Sequence, residues 1–266
     1  MQKNHNYNLF RKLGLAFLLL TSIGISQILA KTPAREYYQL RIYQFNNKSQ
    51  QERVENYLQN ALLPALHRIG INKTAVMRTL PADTTGLKVY VLIPFKSMEH
   101  LLLLPEQLQN DKQYQTAGND YLNATYDNPP YKRYETVIMK AFVKMPEMAV
   151  PKLKTAKSER IYELRSYESP TEERHLSKVK MFNESEINIF KQIDSNPVFW
   201  GDVISGSHMP NLMYLTTYAN KADREDHWKV FKANPDWKKL SAMPEYQKNV
   251  SHSDILFLQP TDYSDL

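Results

Sequence analysis

The sequence repeats itself at an offset of 124 residues, and this repeat restricts the architecture more than any single motif does. Residues 38–43 read YQLRIY and residues 162–167 read YELRSY, so both fit the pattern Y-[QE]-L-R-x-Y. Two further stretches align at the same offset without a gap: Leu66 and Ile69 with Phe190 and Ile193, and residues 89–91 with 213–215. Three elements in register indicate two copies of one structural unit in tandem.

Each copy predicts six elements in the order strand, helix, strand, strand, helix, strand. Apolar residues alternate over 37–45, as in a strand, and recur at helical spacing over 51–69. A β-α-β-β-α-β unit is the ferredoxin-like motif, in which helices cover one face of a four-stranded antiparallel sheet. The other face needs cover too, because it would otherwise be a large apolar patch. The predicted fold class is therefore α+β, with two tandem ferredoxin-like domains packed sheet to sheet as a pseudo-dimer.

The domain boundaries follow from the repeat. The first domain spans residues 36–145 and the second spans residues 158–266. Between them, residues 146–157 contain two prolines and show no periodicity, which is typical of a linker.

Residues 1–30 have the pattern of an export signal. Lys3, Arg11 and Lys12 precede eight apolar residues, and a polar-interrupted stretch then ends at Ala30. A membrane span needs roughly 20 mainly apolar residues, and this apolar stretch is much shorter. A cleaved signal is therefore a better interpretation than a membrane anchor. We expect cleavage after Ala30, or else after Ala34, and a periplasmic or secreted protein without membrane attachment.

Cleavage would remove three cations and no acid, which lowers the net charge from +6 to +3. The remaining lysines are mixed with acids, whereas a nucleic-acid footprint is a dense basic stripe with interleaved aromatic residues. We expect no nucleic-acid partner. A small-molecule ligand and a homo-oligomer remain open.

The composition excludes several kinds of chemistry. The chain has no cysteine, which rules out disulfides, thiolate nucleophiles and cysteine-ligated metals. None of its seven glycines stands in a phosphate-binding or nucleophile-elbow motif. A binding site would have to be built from side chains.

The first strand of each copy places arginine and tyrosine on one face: Arg41 with Tyr43, and Arg165 with Tyr167. We expect this amphipathic face to form the sheet-to-sheet contact. A buried guanidinium must be paired or must hold an anion, because burying it unpaired costs several kcal/mol.

Two interpretations of these arginines stay open. The structural one pairs them with Glu163, Glu135 or another acid across the interface. The functional one has Arg165 recognise a carboxylate or phosphate beside Tyr167 and Trp200.

The second copy resembles a known family. The segments that carry the resemblance are YELRSY at 162–167, VFW at 198–200, YLTTY at 214–218, Arg224-x-x-x-Trp228 and NPDW at 234–237. These look like the NIPSNAP family of dimeric α/β-barrel domains. The first copy resembles it only through Y-x-L-R-x-Y and topology, with Leu104 in place of Trp228. The resemblance implies a barrel of tandem ferredoxin-like domains, often oligomeric, and it implies no particular reaction.

His227 is the strongest candidate for a cofactor ligand. Some haem-binding relatives present an axial histidine from the corresponding helix, but an exposed position beside Trp228 is the simpler interpretation. No histidine pair has the i, i+4 spacing of a zinc-binding helix, so we expect neither a metal nor another cofactor, with haem as the alternative.

The sequence thus favours an exported protein that binds a small apolar or anionic ligand, or a partner protein, between sheet and helices. Its catalytic residues are unknown and enzyme activity stays open. The alternatives are a small-molecule or haem-dependent monooxygenase and a structural or assembly module. The candidate ligand-binding residues are Arg165, Tyr167, Trp200, Arg41, Tyr43, His227 and Trp228.

Overall fold

The computed structural model describes residues 34–80 and 86–266. The predicted export signal and most of the predicted turn at 81–86 lie outside these residues. In the described ranges, no helix combines the length and the apolar character that crossing a membrane requires.

The first copy has the predicted element order. Side-chain caps mark the start of its two helical segments: Asn47 Oδ1 accepts a hydrogen bond from the Gln50 N–H, and Ser97 Oγ accepts one from the His100 N–H. The elements are β1 (Tyr37–Gln44), α1 (Lys48–Tyr57), a π-helical turn (Leu58–Leu62), α2 (Leu63–Arg68), β2 (Ala75–Thr79), β3 (Lys88–Phe95), α3 (Met98–Asn110), α4 (Lys112–Ala117), α5 (Asn119–Leu122) and β4 (Arg133–Ala141).

The second copy repeats this order after a short 3-10 turn. Thr171 and Asn220 cap its helical layers in the same way, on the N–H groups of Arg174 and Asp223. The elements are β5 (Ile161–Glu168), α6 (Glu172–Met181), a π-helical turn (Phe182–Glu186), α7 (Ile187–Gln192), β6 (Pro197–Ser205), β7 (Asn211–Tyr218), α8 (Lys221–Ala233), α9 (Pro235–Ser241), a second 3-10 turn (Pro244–Tyr246) and β8 (His252–Pro260).

The eight strands form one closed antiparallel barrel in the order β1-β3-β2-β8-β5-β7-β6-β4. Within each copy the strands run in the ferredoxin-like order, β4-β1-β3-β2 and β8-β5-β7-β6. Two seams join the copies by hydrogen bonds, β2 with β8 and β4 with β6. The sheets therefore meet at their edges and enclose a common interior.

The barrel interior is apolar. It contains Tyr38 and Leu40 of β1 and Tyr162 and Leu164 of β5, within one cluster that draws on strands of both copies. Our prediction that the Arg/Tyr face forms the sheet-to-sheet contact is therefore wrong. Strands surround the interior, so no helix could bring a counter-charge to a guanidinium there.

The Arg/Tyr face of each sheet lies under its helices instead. Tyr43 belongs to the cluster between sheet and helices of the first copy, and Tyr167 packs on the equivalent cluster of the second. The space between sheet and helices, where we expected a ligand, is thus where these polar side chains lie.

The repeat is nearly regular in the backbone. The two π-helical turns stand at the same offset of 124 residues. However, Leu40 pairs with Leu92 while Leu164 pairs with Leu215, so the third strands align at 123. The gapless alignment is wrong there by one residue, which matters because such a slip moves a side chain to the opposite face of a sheet.

The linker at 146–157 packs against the barrel. Met148 is buried in the interior cluster, with Leu153 packed beside it. The Met148 N–H donates to Glu36 Oε2 at 2.6 Å, which fastens the linker to the start of β1. The last residue, Leu266, belongs to the same cluster, so the linker and the tail after β8 both contribute to the barrel interior.

The seam between β4 and β6 allows a direct test of barrel closure. A Cβ added at Gly201 would lie 2.8 Å from Met139 Cβ. Since overpacking of this kind costs about 1–3 kcal/mol, we expect Gly201→Ala to lower the free energy of unfolding by that amount in denaturant titrations. Ser205→Ala, at the exposed end of the same strand, is the control and should leave stability unchanged. Equal stability of Gly201→Ala and wild type would contradict this packing of the seam.

Candidate functional site

The arginine of β5 is paired with an acid on its own strand. Arg165 Nε donates to Glu163 Oε1 at 2.5 Å, which is the structural pair expected from the sequence. From α8, Arg224 Nε donates to Glu163 Oε2 at 2.8 Å and Trp228 Nε1 donates to the same oxygen at 2.9 Å. The Glu163 side chain is 0% exposed, so its carboxylate is held entirely by these three residues.

Arg165 makes contacts on every side. Its guanidinium carbon lies 3.8 Å from the Trp228 ring centroid, a cation–π arrangement. Its Nη1 donates to Tyr167 Oη at 2.9 Å, and Tyr167 Oη is hydrogen-bonded to Tyr214 Oη at 2.9 Å. With its Nη2 also on Glu163, Arg165 has partners at all three nitrogens. This guanidinium is committed to internal contacts.

Two opposing effects set the pKa of Glu163. Burial alone would raise the pKa, but the hydrogen bond from Arg224 and the charge of Arg165 outweigh burial. The pKa of Glu163 therefore lies below its usual value, and the carboxylate stays ionised between the two guanidinium groups.

A second buried ion pair lies beside this group. Lys178 Nζ on α6 donates to Glu186 Oε2 at 2.9 Å, and both residues are buried. Glu186 is the last residue of the π-helical turn, and Lys178 Nζ lies 4.5 Å from the Phe182 ring centroid. Sequence analysis missed both residues. Two opposite charges among the apolar positions of one helical face were the available signal.

The remaining candidates of the second copy are not arranged as a reactive site. Trp200 is 0% exposed and lies between Phe190 and Tyr214, so a ligand could reach it only if the core moved. His227 Nδ1 donates to the Asp223 carbonyl at 2.8 Å, and its ring packs on Tyr218. No contact joins His227 to Arg165 in the described part of the chain.

The arginine of β1 has no acid. Arg41 Nε donates to the amide oxygen of Gln39 at 2.8 Å. Glu135, which we considered as a partner, is bound by Gln44 Nε2, and Thr136 stands opposite Arg41 in the sheet. Among the described residues, no carboxylate forms an ion pair with Arg41.

The first copy has lost the polar partners that surround the arginine in the second. Strand pairing and helix caps fix the equivalences, and they place Pro105 rather than Leu104 at the position of Trp228. The five replacements are Gln39 for Glu163, Val54 for Lys178, Leu62 for Glu186, Leu101 for Arg224 and Pro105 for Trp228.

Tyrosines take up this space in the first copy. Tyr57 and Tyr121 stack with ring centroids 3.7 Å apart, and Tyr57 Oη is 2.8 Å from Tyr114 Oη. Burial raises the pKa of all three hydroxyls, so they are neutral near pH 7. They surround the cation with rings and hydroxyl dipoles but do not neutralise it.

Four cavities in the described part of the chain have no candidate residue, neither Arg41 nor His227, in their lining. The largest of these four, about 560 Å³, lies at one end of the first copy, between the end of α2, the start of β1 and the end of β3.

One family model matches the second copy. Residues 162–265 match the NIPSNAP family model. The match covers less than half of the chain and contains Glu163, Arg165, Arg224 and Trp228. The first copy, which lacks three of these four side chains, lies outside the matched region. No curated protein matches the chain in sequence.

Solved structures support the fold over most of the chain. A candidate monooxygenase from Lactobacillus acidophilus is 11% identical with a TM-score of 0.54, covering 85% of this chain and 94% of that one. Another from Fusobacterium nucleatum is 8% identical with a TM-score of 0.54, covering 86% and 93%. A NIPSNAP family protein from Agrobacterium tumefaciens is 21% identical over 44% of this chain and 98% of its own, with a TM-score of 0.37. At these identities the likeness to the first two structures shows the fold alone.

The buried pair predicts a large effect of removing the acid. Glu163→Gln would leave Arg165 buried, and Arg224 partly buried, without a counter-charge, so we expect a loss of about 3–5 kcal/mol in the free energy of unfolding. The control is Glu225→Gln on the exposed face of α8, which should change stability by less than about 0.5 kcal/mol. A Glu163→Gln variant as stable as this control would contradict the prediction, because it would show that the two arginines do not need the charge of Glu163.

The lowered pKa of Glu163 also predicts a pH dependence. In the unfolded chain this carboxyl takes up a proton near its ordinary pKa of 4.5, whereas the native state holds it ionised to lower pH. Stability from this group is therefore present above about pH 4.5 and is lost as the pH falls through the native pKa. In denaturant unfolding at a series of pH values between 6 and 3, the free energy of unfolding should fall less steeply with decreasing pH in Glu163→Gln than in wild type. An equal fall in the two proteins would contradict this prediction.

Proposed function

We propose that this protein binds a small anionic ligand between the sheet and the helices of its first copy, with Arg41 as the anion-recognising residue. The observation that carries the proposal is the missing acid: Arg41 is partly buried and pairs with no carboxylate among the described residues. Burying a guanidinium without a counter-charge is costly, and an anion from outside would offset that cost.

The second copy supports this interpretation by contrast. There the equivalent Arg165 has an internal carboxylate, a second arginine and a tryptophan ring over its face. An arginine at this position of the fold can therefore have all its hydrogen bonds and its charge matched by residues of the same copy. Replacement of the acid by Gln39 keeps one hydrogen bond to Arg41 and removes the charge.

The tyrosines indicate the body of the ligand. Tyr43, Tyr57, Tyr121, Tyr131 and Tyr134 form a continuous set of ring contacts beside Arg41. Tyr134 is 47% exposed and Arg41 is partly exposed, which offers a way in from the side of β4. Aromatic rings favour an apolar or planar partner, so a carboxylate on an aromatic or aliphatic body fits both features.

We also propose that the protein acts outside the cytoplasm after removal of residues 1–30 and that it needs no cofactor at this site. The two copies in one chain would correspond to the two subunits of a dimeric barrel. Further self-association and binding of a partner protein remain compatible with it.

The alternative of a monooxygenase rests on fold likeness to two structures that are described as candidates for that activity. The second-copy residues it would use do not favour it, because Arg165 is fully paired and Trp200 is closed to solvent. If the alternative held, oxygen uptake in the presence of a bound carboxylate would reveal it.

The decisive experiment restores the acid. In Gln39→Glu, the new carboxylate would lie where Gln39 Oε1 now accepts from Arg41. We expect the free energy of unfolding to rise, because Arg41 then has a counter-charge in place of a neutral amide, and the binding of external carboxylates to be lost.

Binding can be measured by calorimetry with benzoate, cinnamate and decanoate, with benzamide as the uncharged probe. Arg41→Gln should abolish binding, while the matched control Arg133→Gln, an exposed arginine on β4, should retain it. Binding of a carboxylate that survives both Arg41→Gln and Gln39→Glu would overturn the proposal. Absence of binding by any probe, together with no gain in stability in Gln39→Glu, would favour a structural module.

A further inference from the structure

Three potential metal ligands meet at the end of the barrel where β5 ends and β8 begins. They are Glu168, the last residue of β5, and His252 and Asp254 at the start of β8. One ligand atom from each lies within 4.8 Å of the other two. His252 Nε2 is 3.1 Å from Asp254 Oδ1, close to the separation of about 3.3 Å expected for two ligands on one tetrahedral zinc ion.

The sheet fixes this arrangement. Glu168 pairs with His252 in the register of β5 and β8, and Asp254 follows two residues later on the same face. The Ser251 N–H donates to the Glu168 carbonyl at 2.8 Å, which anchors the start of β8 at that position. The backbone hydrogen bonds between β5 and β8 thus set the positions of Glu168 and His252 relative to each other.

A second imidazole approaches from the loop between β6 and β7. His208 Nδ1 lies 3.1 Å from Glu168 Oε1. The Ser169 N–H donates to the Pro210 carbonyl at 2.9 Å, so this loop is tied to the chain directly after Glu168. His208 stands outside the group of three whose ligand atoms lie within 4.8 Å of one another. Imidazole and carboxylate, the two ligand types in that group, are typical of zinc and its neighbours.

The charges in this group call for a cation. Glu168 and Asp254 pair only with His208 and His252 among the described residues. Two carboxylates therefore lie close together with no lysine or arginine paired to them. A divalent ion would remove this repulsion.

The first copy provides an internal comparison. At the positions equivalent to Glu168, His252 and Asp254 it has Gln44, Arg133 and Glu135. There an amide bonds the remaining acid, Gln44 Nε2 to Glu135 Oε1 at 2.7 Å, and an arginine brings a permanent positive charge. The ligand set is thus confined to the second copy.

We propose that Glu168, His252 and Asp254 bind one divalent transition-metal ion of the zinc class. The ion fastens the start of β8 to the end of β5. This site is separate from the Arg41 site and does not depend on it. Spacing within a single helix could not reveal it, because strand pairing brings together residues that are far apart in sequence.

Calorimetric titration of the full chain with ZnCl2 at pH 7.5, in a buffer that does not bind metal, tests the proposal. We expect one ion per chain and a rise of the unfolding temperature with zinc concentration. Loss of a residue that only orients a ligand typically weakens metal binding 10–100-fold, so His252→Ala and Asp254→Asn should each weaken it at least about tenfold.

Two controls share the chemistry but lie outside the group: His100→Ala and Glu135→Gln should bind zinc as wild type does. Binding should also weaken strongly at pH 5.5, where protons compete for the imidazole. Because the tested side chains are exposed, their variants should fold, which thermal unfolding without zinc will verify. No saturable binding at one ion per chain, or wild-type affinity in His252→Ala, would overturn the proposal.

Discussion

The hydrogen bonds between β2 and β8 and between β4 and β6 close the barrel, and the rest of the structure depends on that closure. In a closed barrel the inner faces of the strands cover one another and are out of reach of the outer helices. Tyr38, Leu40, Tyr162 and Leu164 lie in this interior, whereas Arg41 and Arg165 lie on the outer face of the sheets, under the helices. Helices, unlike strands, can then bring Arg224 and Trp228 onto a buried acid.

The two copies share a backbone and differ in electrostatics. Both keep the arginine and tyrosine of Y-x-L-R-x-Y, and both keep a π-helical turn at the same place. In the second copy the arginine belongs to a complete buried network, which is expected to rigidify the domain. In the first copy the same arginine has Gln39 and neighbouring tyrosines but no carboxylate among the described residues. Such an asymmetry is expected when one copy keeps the structural role and the other is free to bind a ligand.

The sequence was sufficient to predict much of this fold, for identifiable reasons. The offset of 124 and the alternation of apolar residues predicted both β-α-β-β-α-β units. The faces of β1 and β5 were assigned wrongly, because alternation shows that two faces differ but not which one a closed barrel encloses.

The pairing of Arg165 with Glu163 was one of the two interpretations left open by the sequence, which placed it across a sheet interface rather than under the helices. The contributions of Arg224 and Trp228 were not foreseen, since only the docking of α8 brings them to Glu163. Likewise, no local pattern could show that Arg41 lacks an acid, which depends on every element packed around it.

Closure also restricts how this protein can associate with others. Each of the described strands has a neighbour on both sides, so the barrel offers no unpaired backbone edge to which another chain could add a strand. Within the described residues, self-assembly by strand addition, a common route both to partners and to aggregates, therefore has no free strand edge to use. The outer helices carry exposed apolar residues, Leu102 on α3 and Val230 on α8, that contacts between chains could use.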